Sequence, residues 1–530
     1  MPSSAVEPDL IAVPVDVGTP DACTTKAGTT KPSSLWRSVF SFPAMLFGWI
    51  VLVVVRLAER DVPDTDIWWH LRNAQFLLTH HALPNFDAYS YTVAGHPWLN
   101  HEWLAEIPYY LAWRAFGLEG IEVLMLVLIE AIFLGVLYLC YQRGGHIKAS
   151  VLACWIALLL GTINFGPRTI LFGYACLVPF LIILERYRSR GQAPLWVLPP
   201  LFCLWINLHG SWTLGMVILA IFIASGLVGG RWGSVGAARW TRGELYRLIA
   251  VFAACCAAVF VNPYGYRLVL YPLDIAVHQP LNMSSVQEWS ATDFHSVRGV
   301  IILLLLGALF AAALRGRYRW RLSDLAIMAF AFYSGIMHER LLFLLGVVAA
   351  PVIAEMADFV PTYQREIDKP WLNALILAGI LAFVGYRFPT QAGLAQQVAA
   401  EYPADAASYL ETHPPQGRVL NYYEWGGYLG WKDPDLKVFV DSRVDIFEYA
   451  GVFKDYLDLI GLHDPLKILD DYRIRYVLLP NNYPLASFLQ ANAQWKVAYR
   501  DGISVLFERM GPVPAGPSKD ARPHRVIASW

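Results

Sequence analysis

Asp64-Thr65-Asp66-Ile67-Trp68-Trp69-His70 follows the first long apolar run of the chain, residues 39–55. How that run is read decides the fold. It is long enough to cross a bilayer, no small-residue cleavage site follows it, and many more apolar runs come after it. It therefore reads as a retained first helix and not as the core of a signal peptide. Two carboxylates and three aromatic rings then stand at the rim of a membrane, where an acid needs either a structural partner or a chemical task.

Composition fixes the setting. At 530 residues, 56% of them hydrophobic and 16% charged, the chain is too apolar for a soluble globular protein and reads as a polytopic membrane protein. A formal net charge of −1 gives no whole-chain attraction to nucleic acid. The cysteines, Cys23, Cys140, Cys154, Cys176, Cys203, Cys255 and Cys256, lie mostly inside apolar runs, and none follows residue 256. That spacing offers neither a disulfide framework for the C-terminal segment nor a zinc site.

Residues 1–36, rich in Ser, Thr, Pro and Ala, read as a disordered cytoplasmic tail. Further spans are predicted near 121–141, 149–165, 168–185, 194–208, 211–230, 247–262, 298–314, 322–337, 340–357 and 371–387, so about eleven helices make a transmembrane unit over 37–387. Basic residues cluster in alternate loops: Arg143 and Lys148; Arg186, Arg188 and Arg190; Arg231, Arg239, Arg242 and Arg247; Arg315, Arg317, Arg319 and Arg321. The positive-inside rule makes these loops cytoplasmic and the loops near 164–167, 209, 263–297 and 338–340 extracytoplasmic. The same count makes 58–120 one outer loop. Within it, 67–80 and 103–116 are predicted to be helices lying along the interface. Residues 388–509 also fall outside and change character. Strand-length runs at 418–420, 437–440, 476–479, 496–499 and 503–507 alternate with helical patterns near 403–412, 449–460 and 465–471, which predicts a compact α/β domain. Residues 510–530 read as a flexible tail.

The chemistry-bearing residues all fall on the outer side. Asp64 and Asp66 could take a proton or share a cation, and equally could cap a helix. His101 and Glu102, after His96 and beside Trp98 and Trp103, could bind a sugar or a phosphate, or form part of an interfacial aromatic belt. Glu288, in Ser284-Ser285-Val286-Gln287-Glu288-Trp289, could orient an acceptor or complete a cation site. Arg340, in Met337-His338-Glu339-Arg340, stays charged and donates in pairs, as a lipid-linked phosphate at the bilayer rim requires; Arg168 stands at another outer rim. In the C-terminal segment Asn421-Tyr422-Tyr423-Glu424-Trp425-Gly426-Gly427 runs off a predicted strand into an aromatic turn. A second predicted strand ends at Val440-Asp441-Ser442-Arg443, which puts acid and base together.

Taken in order, these motifs resemble a known family. The stretch from Asp66 to His80 resembles the start of the first external loop in the catalytic subunit of oligosaccharyltransferases and their archaeal relatives, where the matching Asp is catalytic. Ser285-Val286-Gln287-Glu288 resembles that family's Ser-Val-Ser-Glu motif. Tyr333-Ser334-Gly335-Ile336-Met337 with Arg340-Leu341 resembles the helix whose arginine binds the donor phosphate. Tyr422-Tyr423-Glu424-Trp425-Gly426 resembles Trp-Trp-Asp-Tyr-Gly. The outer-loop layout is similar to that of bacterial polyprenyl-phosphate sugar transferases of the wider GT-C class.

The resemblance implies a GT-C-like fold. It implies inverting transfer of a sugar or glycan from a polyprenyl-phosphate or polyprenyl-pyrophosphate donor to a protein, lipid or glycan acceptor outside a bacterial cytoplasmic membrane. It assigns Asp66, supported by Asp64, to catalysis, and Arg340 with Arg168 to the donor phosphate. Glu288, His101, Glu102, Tyr422, Tyr423, Glu424 and Trp425 would meet acceptor or sugar. A divalent cation, Mg or Mn, would fall to Asp66 and Glu288, but the outer loop at Asn164-Phe165-Gly166-Pro167 lacks the family's second acidic pair. A transporter or flippase for a lipid-linked or anionic substrate, and a non-catalytic scaffold, are the alternatives.

Overall fold

The structure, a computed structural model, describes residues 35–58, 64–286, 289–316, 318–357, 359–514, 518 and 519. Residues 1–34 of the predicted 1–36 tail, 515–517 and 520–530 of the predicted 510–530 tail, Arg317 and Glu288 lie outside the described residues. Each predicted span is occupied by a helix. Trp103–Gly144, Ile147–Asn164, Ile170–Arg190, Val297–Arg315 and Pro370–Arg387 are five helices long and apolar enough to cross a membrane, by length and composition. Phe42–Ala58, Leu195–Leu208, Trp212–Ser225 and Leu322–Met337 are shorter apolar helices. The chain is accordingly an integral membrane protein.

The helix Leu342–Met356 sits at the centre of the bundle, with Leu342 through Pro351 all buried. A helix that is apolar on every side can be enclosed by other helices or by lipid, and this one is enclosed by helices. It packs on Ile147–Gly161, Trp103–Gly144 and Leu322–Met337. The approach to the first of these depends on small residues: a Cβ on Gly346 would stand 2.8 Å from the Ala157 Cα. Val297–Arg315 and Pro370–Arg387 lie at the periphery, with Leu303, Leu304, Phe310, Leu375, Leu381 and Tyr386 exposed, a surface suited to lipid.

Trp103–Gly144 is two helices joined at Gly117, whose φ of 61° and ψ of −141° break the helical path. The helical stretch at 103–116 is thereby set apart from the longer stretch that follows. The Glu119 side chain accepts from the Gln391 N–H at 2.6 Å, and the Gln391 side chain accepts from the Glu119 N–H at 3.2 Å, which ties the break to the helix Gln391–Glu401.

Two sheets are present among the described residues. A small one, β1 (Gly230–Trp232), β2 (Val235–Ala237) and β3 (Trp320–Arg321), joins loops in which the basic residues cluster. The other comprises β4 (Arg418–Asn421), β5 (Ile474–Pro480), β6 (Trp495–Arg500) and β7 (Ser504–Arg509) in the order β4-β5-β7-β6. β4 and β5 are parallel, and β7 is antiparallel to both β5 and β6. Ala404–Thr412, Val452–Ile460, Pro465–Asp471 and Pro484–Gln490 are the helices around it. Ser518 and Lys519 dock back on this unit, Ser518 accepting from Arg418 at 2.6 Å and Lys519 pairing with Asp455.

Two expectations are corrected. The run 437–440 is no strand of this sheet. The Asn421 side chain takes up its backbone, accepting from Phe439 N–H at 2.8 Å and donating to Val440 C=O at 2.7 Å, and Val438 bridges instead to Ser90 of the first loop. The helix Ile67–His80, predicted to lie along the interface, has its Trp68 and Trp69 covered by protein. Trp68 and Trp69 are 3% and 6% exposed. Trp69 with Val93 and Trp98 shares a core with Leu420, Phe439 and Val440, and Trp68 packs with Tyr402 and Tyr428. Trp69 satisfies its buried indole N–H with protein acceptors, described below.

Candidate functional site

The acids that open the first loop are built from local backbone. Asp64 accepts the Asp66 N–H at 3.0 Å, and the Asp66 C=O accepts the His70 N–H as the first turn of Ile67–His80. This bend separates the two carboxylates. The Asp64 side chain, 5% exposed, receives Arg168 Nε at 2.7 Å from the start of Ile170–Arg190. The Asp66 side chain instead faces a cavity of about 420 Å³, where it accepts from Trp69 Nε1 at 3.1 Å; the same indole N–H reaches Ser442 Oγ at 3.0 Å. Burial and the neighbouring Asp64 charge push the Asp66 carboxyl up to about 6, against the opposing pull of His70, Ser442 and Trp69.

Two glycines make this junction possible. A Cβ on Gly426 would lie 2.1 Å from the Val440 carbonyl oxygen, and one on Gly427 would lie 3.1 Å from that of Thr65. Gly427 thus lets the C-terminal segment press its backbone against the Asp64–Asp66 bend, while Gly426 lets the aromatic turn close on Val440 within that segment.

Behind Asp66 lies a buried polar network. Glu106 is met by His70 Nδ1 at 3.0 Å, Asn73 at 3.0 Å and Asn100 at 2.8 Å. Glu102 stands among three imidazoles, His209 Nε2 at 3.3 Å, His101 Nε2 at 3.5 Å and His70 Nε2 at 3.6 Å. Burial would raise Glu102, but the charge and hydrogen bond of His101, with His209 and His70, hold it well below the usual carboxylate range. Burial would likewise lower His101, but Glu102 raises it further. His209 goes the other way: burial, with Arg340 and His101 nearby, pushes it down to about 3 despite Glu102. Its Nδ1 accepts the Ser211 N–H at 3.0 Å, so the neutral ring carries its proton on Nε2, facing Glu102. The turn at 209–211 sits close because residue 173 is glycine; a Cβ there would lie 2.2 Å from Ser211 Oγ.

The Asp66 cavity is also lined by His101, Glu102, Arg168, His209, Arg340 and Tyr423. Arg340 lies in the turn after Leu322–Met337, stacked 4.4 Å over the Trp289 ring, with its carbonyl held by Asn164 at 3.0 Å and Tyr174 at 3.1 Å. No carboxylate pairs with its guanidinium among the described residues. An acid, a neutral imidazole and two guanidinia on one cavity form a site for an anionic group beside a base.

The structure therefore brings together Asp66, Arg168, Arg340, His101, Glu102 and Tyr423, and places Asp64 one bond behind, on Arg168. Tyr422 and Trp425 do not line this cavity. Trp425 is buried and donates to the Glu401 C=O at 2.9 Å, Tyr422 packs on Trp425 and Tyr483, and Glu424 is exposed. His209 and Asp445 have no role in the sequence reading, and His70 and Ser442 enter it only within quoted stretches, without the partners described above. His209 alone had a signal there, a titratable residue at the outer end of an apolar run. As to a cation, the described residues hold no group of three or more His, Cys, Asp or Glu side chains arranged to bind a metal. Asp66 Oδ1 accepts from the Trp69 indole, and Glu288, the other residue the resemblance assigns to a cation, lies outside the described residues, so no step is routed through a metal.

Among solved structures, the chain is similar to the Archaeoglobus fulgidus oligosaccharyltransferase tethered with an acceptor peptide. Identity is 12% and the TM-score 0.51, over 84% of this chain and 70% of that one. It is also similar to ArnT from Cupriavidus metallidurans bound to undecaprenyl phosphate, with 13% identity and a TM-score of 0.50 over 89% of this chain and 99% of that one. The chain has the fold of these two structures. No protein-family model and no curated protein matches the sequence. At such identities the likeness carries the GT-C architecture and leaves the chemistry to the side chains.

Proposed function

We propose that this GT-C protein is an inverting membrane glycosyltransferase. It moves a sugar or glycan from a polyprenyl-phosphate or polyprenyl-pyrophosphate donor to an acceptor at the outer face of a bacterial cytoplasmic membrane. The single observation that carries the reading is the cavity that joins Asp66, with its raised pKa, to Arg340 and Arg168. The undecaprenyl phosphate in the ArnT relative supports the donor class.

In this mechanism the acceptor nucleophile attacks the anomeric carbon, the bond from that carbon to the phosphate oxygen breaks, and the phosphate leaves with the electron pair. Asp66 takes the nucleophile's proton. A carboxylate titrating near 6 is mostly ionised at pH 7 yet is a stronger base than an ordinary aspartate. Arg340 neutralises the charge growing on the leaving phosphate. Asp64 acts through Arg168, whose guanidinium it orients. Glu102 and Glu106 hold the imidazoles. The proposal carries with it eleven crossings, with the first loop and residues 388–509 outside.

One observation favours the transporter alternative: Glu130, midway along Trp103–Gly144, has neither carboxylate oxygen hydrogen-bonded. The test is incubation of purified protein with radiolabelled polyprenyl-linked sugars and membrane extract. Wild type transfers label and Asp66→Asn, although inserted normally, does not. Full transfer by Asp66→Asn ends the assignment of Asp66, no transfer by wild type ends the enzyme reading, and uptake into proteoliposomes that is lost in Glu130→Gln while transfer is kept assigns Glu130 to a separate transport activity.

A further inference from the structure

A second, larger cavity of about 920 Å³ lies against the first. Residues 82–99 of the first loop, the amphipathic helix Tyr266–His278 and the short helix Val444–Tyr449 form its walls. Trp98, Tyr271 and Asp445 line both cavities and so form the partition between them. Tyr271 donates to Asp445 Oδ2 at 2.8 Å, and the His101 ring lies 4.7 Å from the Tyr271 ring, which joins the partition to the network around Glu102.

We propose that this cavity is the acceptor site and that its occupant is a carbohydrate. The inference rests on the reading of the Asp66 cavity as the place of transfer. Four aromatic rings line the cavity, Trp98, Tyr264, Tyr271 and Tyr449, and two carboxylates stand among them, Asp274 and Asp445. Asp274 is held by the Tyr449 hydroxyl and by His278 at 2.8 Å.

Rings and acids together discriminate between acceptor classes. Sugar rings present C–H faces that stack on aromatic side chains and hydroxyls that donate to carboxylates. An acyl chain would gain from the rings but would cover the two acids without meeting the acceptor capacity that Tyr271, Tyr449 and His278 leave on them, at a cost in desolvation. A phosphorylated acceptor would meet two carboxylates against the one guanidinium of the lining, Arg267. A sugar hydroxyl at the Tyr271–Asp445 partition enters the smaller cavity. Its oxygen forms the new bond to the donor's anomeric carbon, the carbon–oxygen bond to the phosphate breaks with its electron pair going to the phosphate, and the hydroxyl proton passes to Asp66.

The full-length protein in nanodiscs is tested on an array of mono- to tetrasaccharides, on an asparagine-containing peptide and on undecaprenyl phosphate, in parallel. Tyr449→Ala and Asp274→Asn alter only the larger cavity, and thermal unfolding of each shows that it is folded. Wild type is expected to bind a subset of the saccharides, with affinity reduced about tenfold or more in either variant, the worth of roughly one hydrogen bond to a charged group. Undecaprenyl phosphate binding should stay at the wild-type level in both and fall in Arg340→Ala. The acceptor-site proposal is overturned if undecaprenyl phosphate binds but no saccharide does. It is equally overturned if the peptide alone binds, or if saccharide binding is the same in wild type and both folded variants. Absence of undecaprenyl phosphate binding, in contrast, removes the transferase reading itself and the acceptor role with it.

Discussion

At the scale of single residues, two neighbouring aspartates end in different environments because one backbone turn points them apart. Asp64 is spent on Arg168 and Asp66 faces the cavity. With its carboxyl pushed up to about 6, Asp66 in its base form is lost as pH falls through that value. Transfer measured from pH 8 to pH 4 should therefore be flat above about 7 and drop by about tenfold per unit well below 6. Asp66→Asn should lower turnover by about 10²- to 10⁴-fold and abolish that limb. Arg340→Lys keeps the charge but loses the paired donors and the flat stacking on Trp289. Binding of undecaprenyl phosphate, measured by isothermal titration, should weaken by about tenfold or more. Arg340 was legible in the sequence because a guanidinium at the end of an apolar run has few structural uses. His209 was less so, since its role depends on Glu102, which lies in another loop.

At the scale of elements, one buried arginine is central among the contacts that hold the first loop to the C-terminal segment. Arg443 donates to Asp441 at 2.6 and 2.9 Å and to Asp87 at 2.7 Å, sandwiched between the Tyr89 and Trp98 rings at 4.8 and 4.9 Å. Replacing it with alanine strands two buried carboxylates, at a cost of roughly 3–5 kcal/mol. The expected result for Arg443→Ala is a lowered unfolding temperature and protease cleavage within 81–99. Unchanged cleavage would mean that the loop is held elsewhere, for example by Thr92 on the Phe439 C=O at 2.6 Å. The helix Ile67–His80 was readable from its apolar spacing, but the partner for its aromatic face was not. Trp68 and Trp69 suit a membrane interface as well as a protein core, and only the folded C-terminal segment decides between them.

At the scale of the whole molecule, the site and a charged cluster occupy opposite ends of the same helices. Trp103–Gly144 and Ile170–Arg190 begin near Glu102 and Arg168 and end near Arg143 and Arg188, where Asp324, Glu355 and Glu185 meet these arginines. Arg143 reaches Asp324 at 2.5 Å and Glu355 at 2.6 Å. With the basic loops inside, the proposed topology predicts the labelling of single cysteines placed at exposed positions in a cysteine-free chain. Ala94→Cys should react with a membrane-impermeant maleimide on intact cells, and Ser234→Cys should react only after permeabilisation. The reverse pattern inverts the topology and moves the proposed site to the cytoplasm.

The sequence by itself determined the membrane class, the helices at each apolar run, the break before 121–141 and four of the seven strands, because these follow from local hydropathy and from period. It also singled out Asp66 and Arg340, since charge at the edge of an apolar run is costly wherever the chain goes next. Only the tertiary structure decided that Asp64 belongs to Arg168 and that Glu102 gathers His70, His101 and His209. It alone withdrew 437–440 from the sheet and set a second, aromatic cavity against the first. Each of these depends on residues far apart in the chain, and neither hydrogen bonding nor burial between distant segments leaves a periodic trace in the segments themselves.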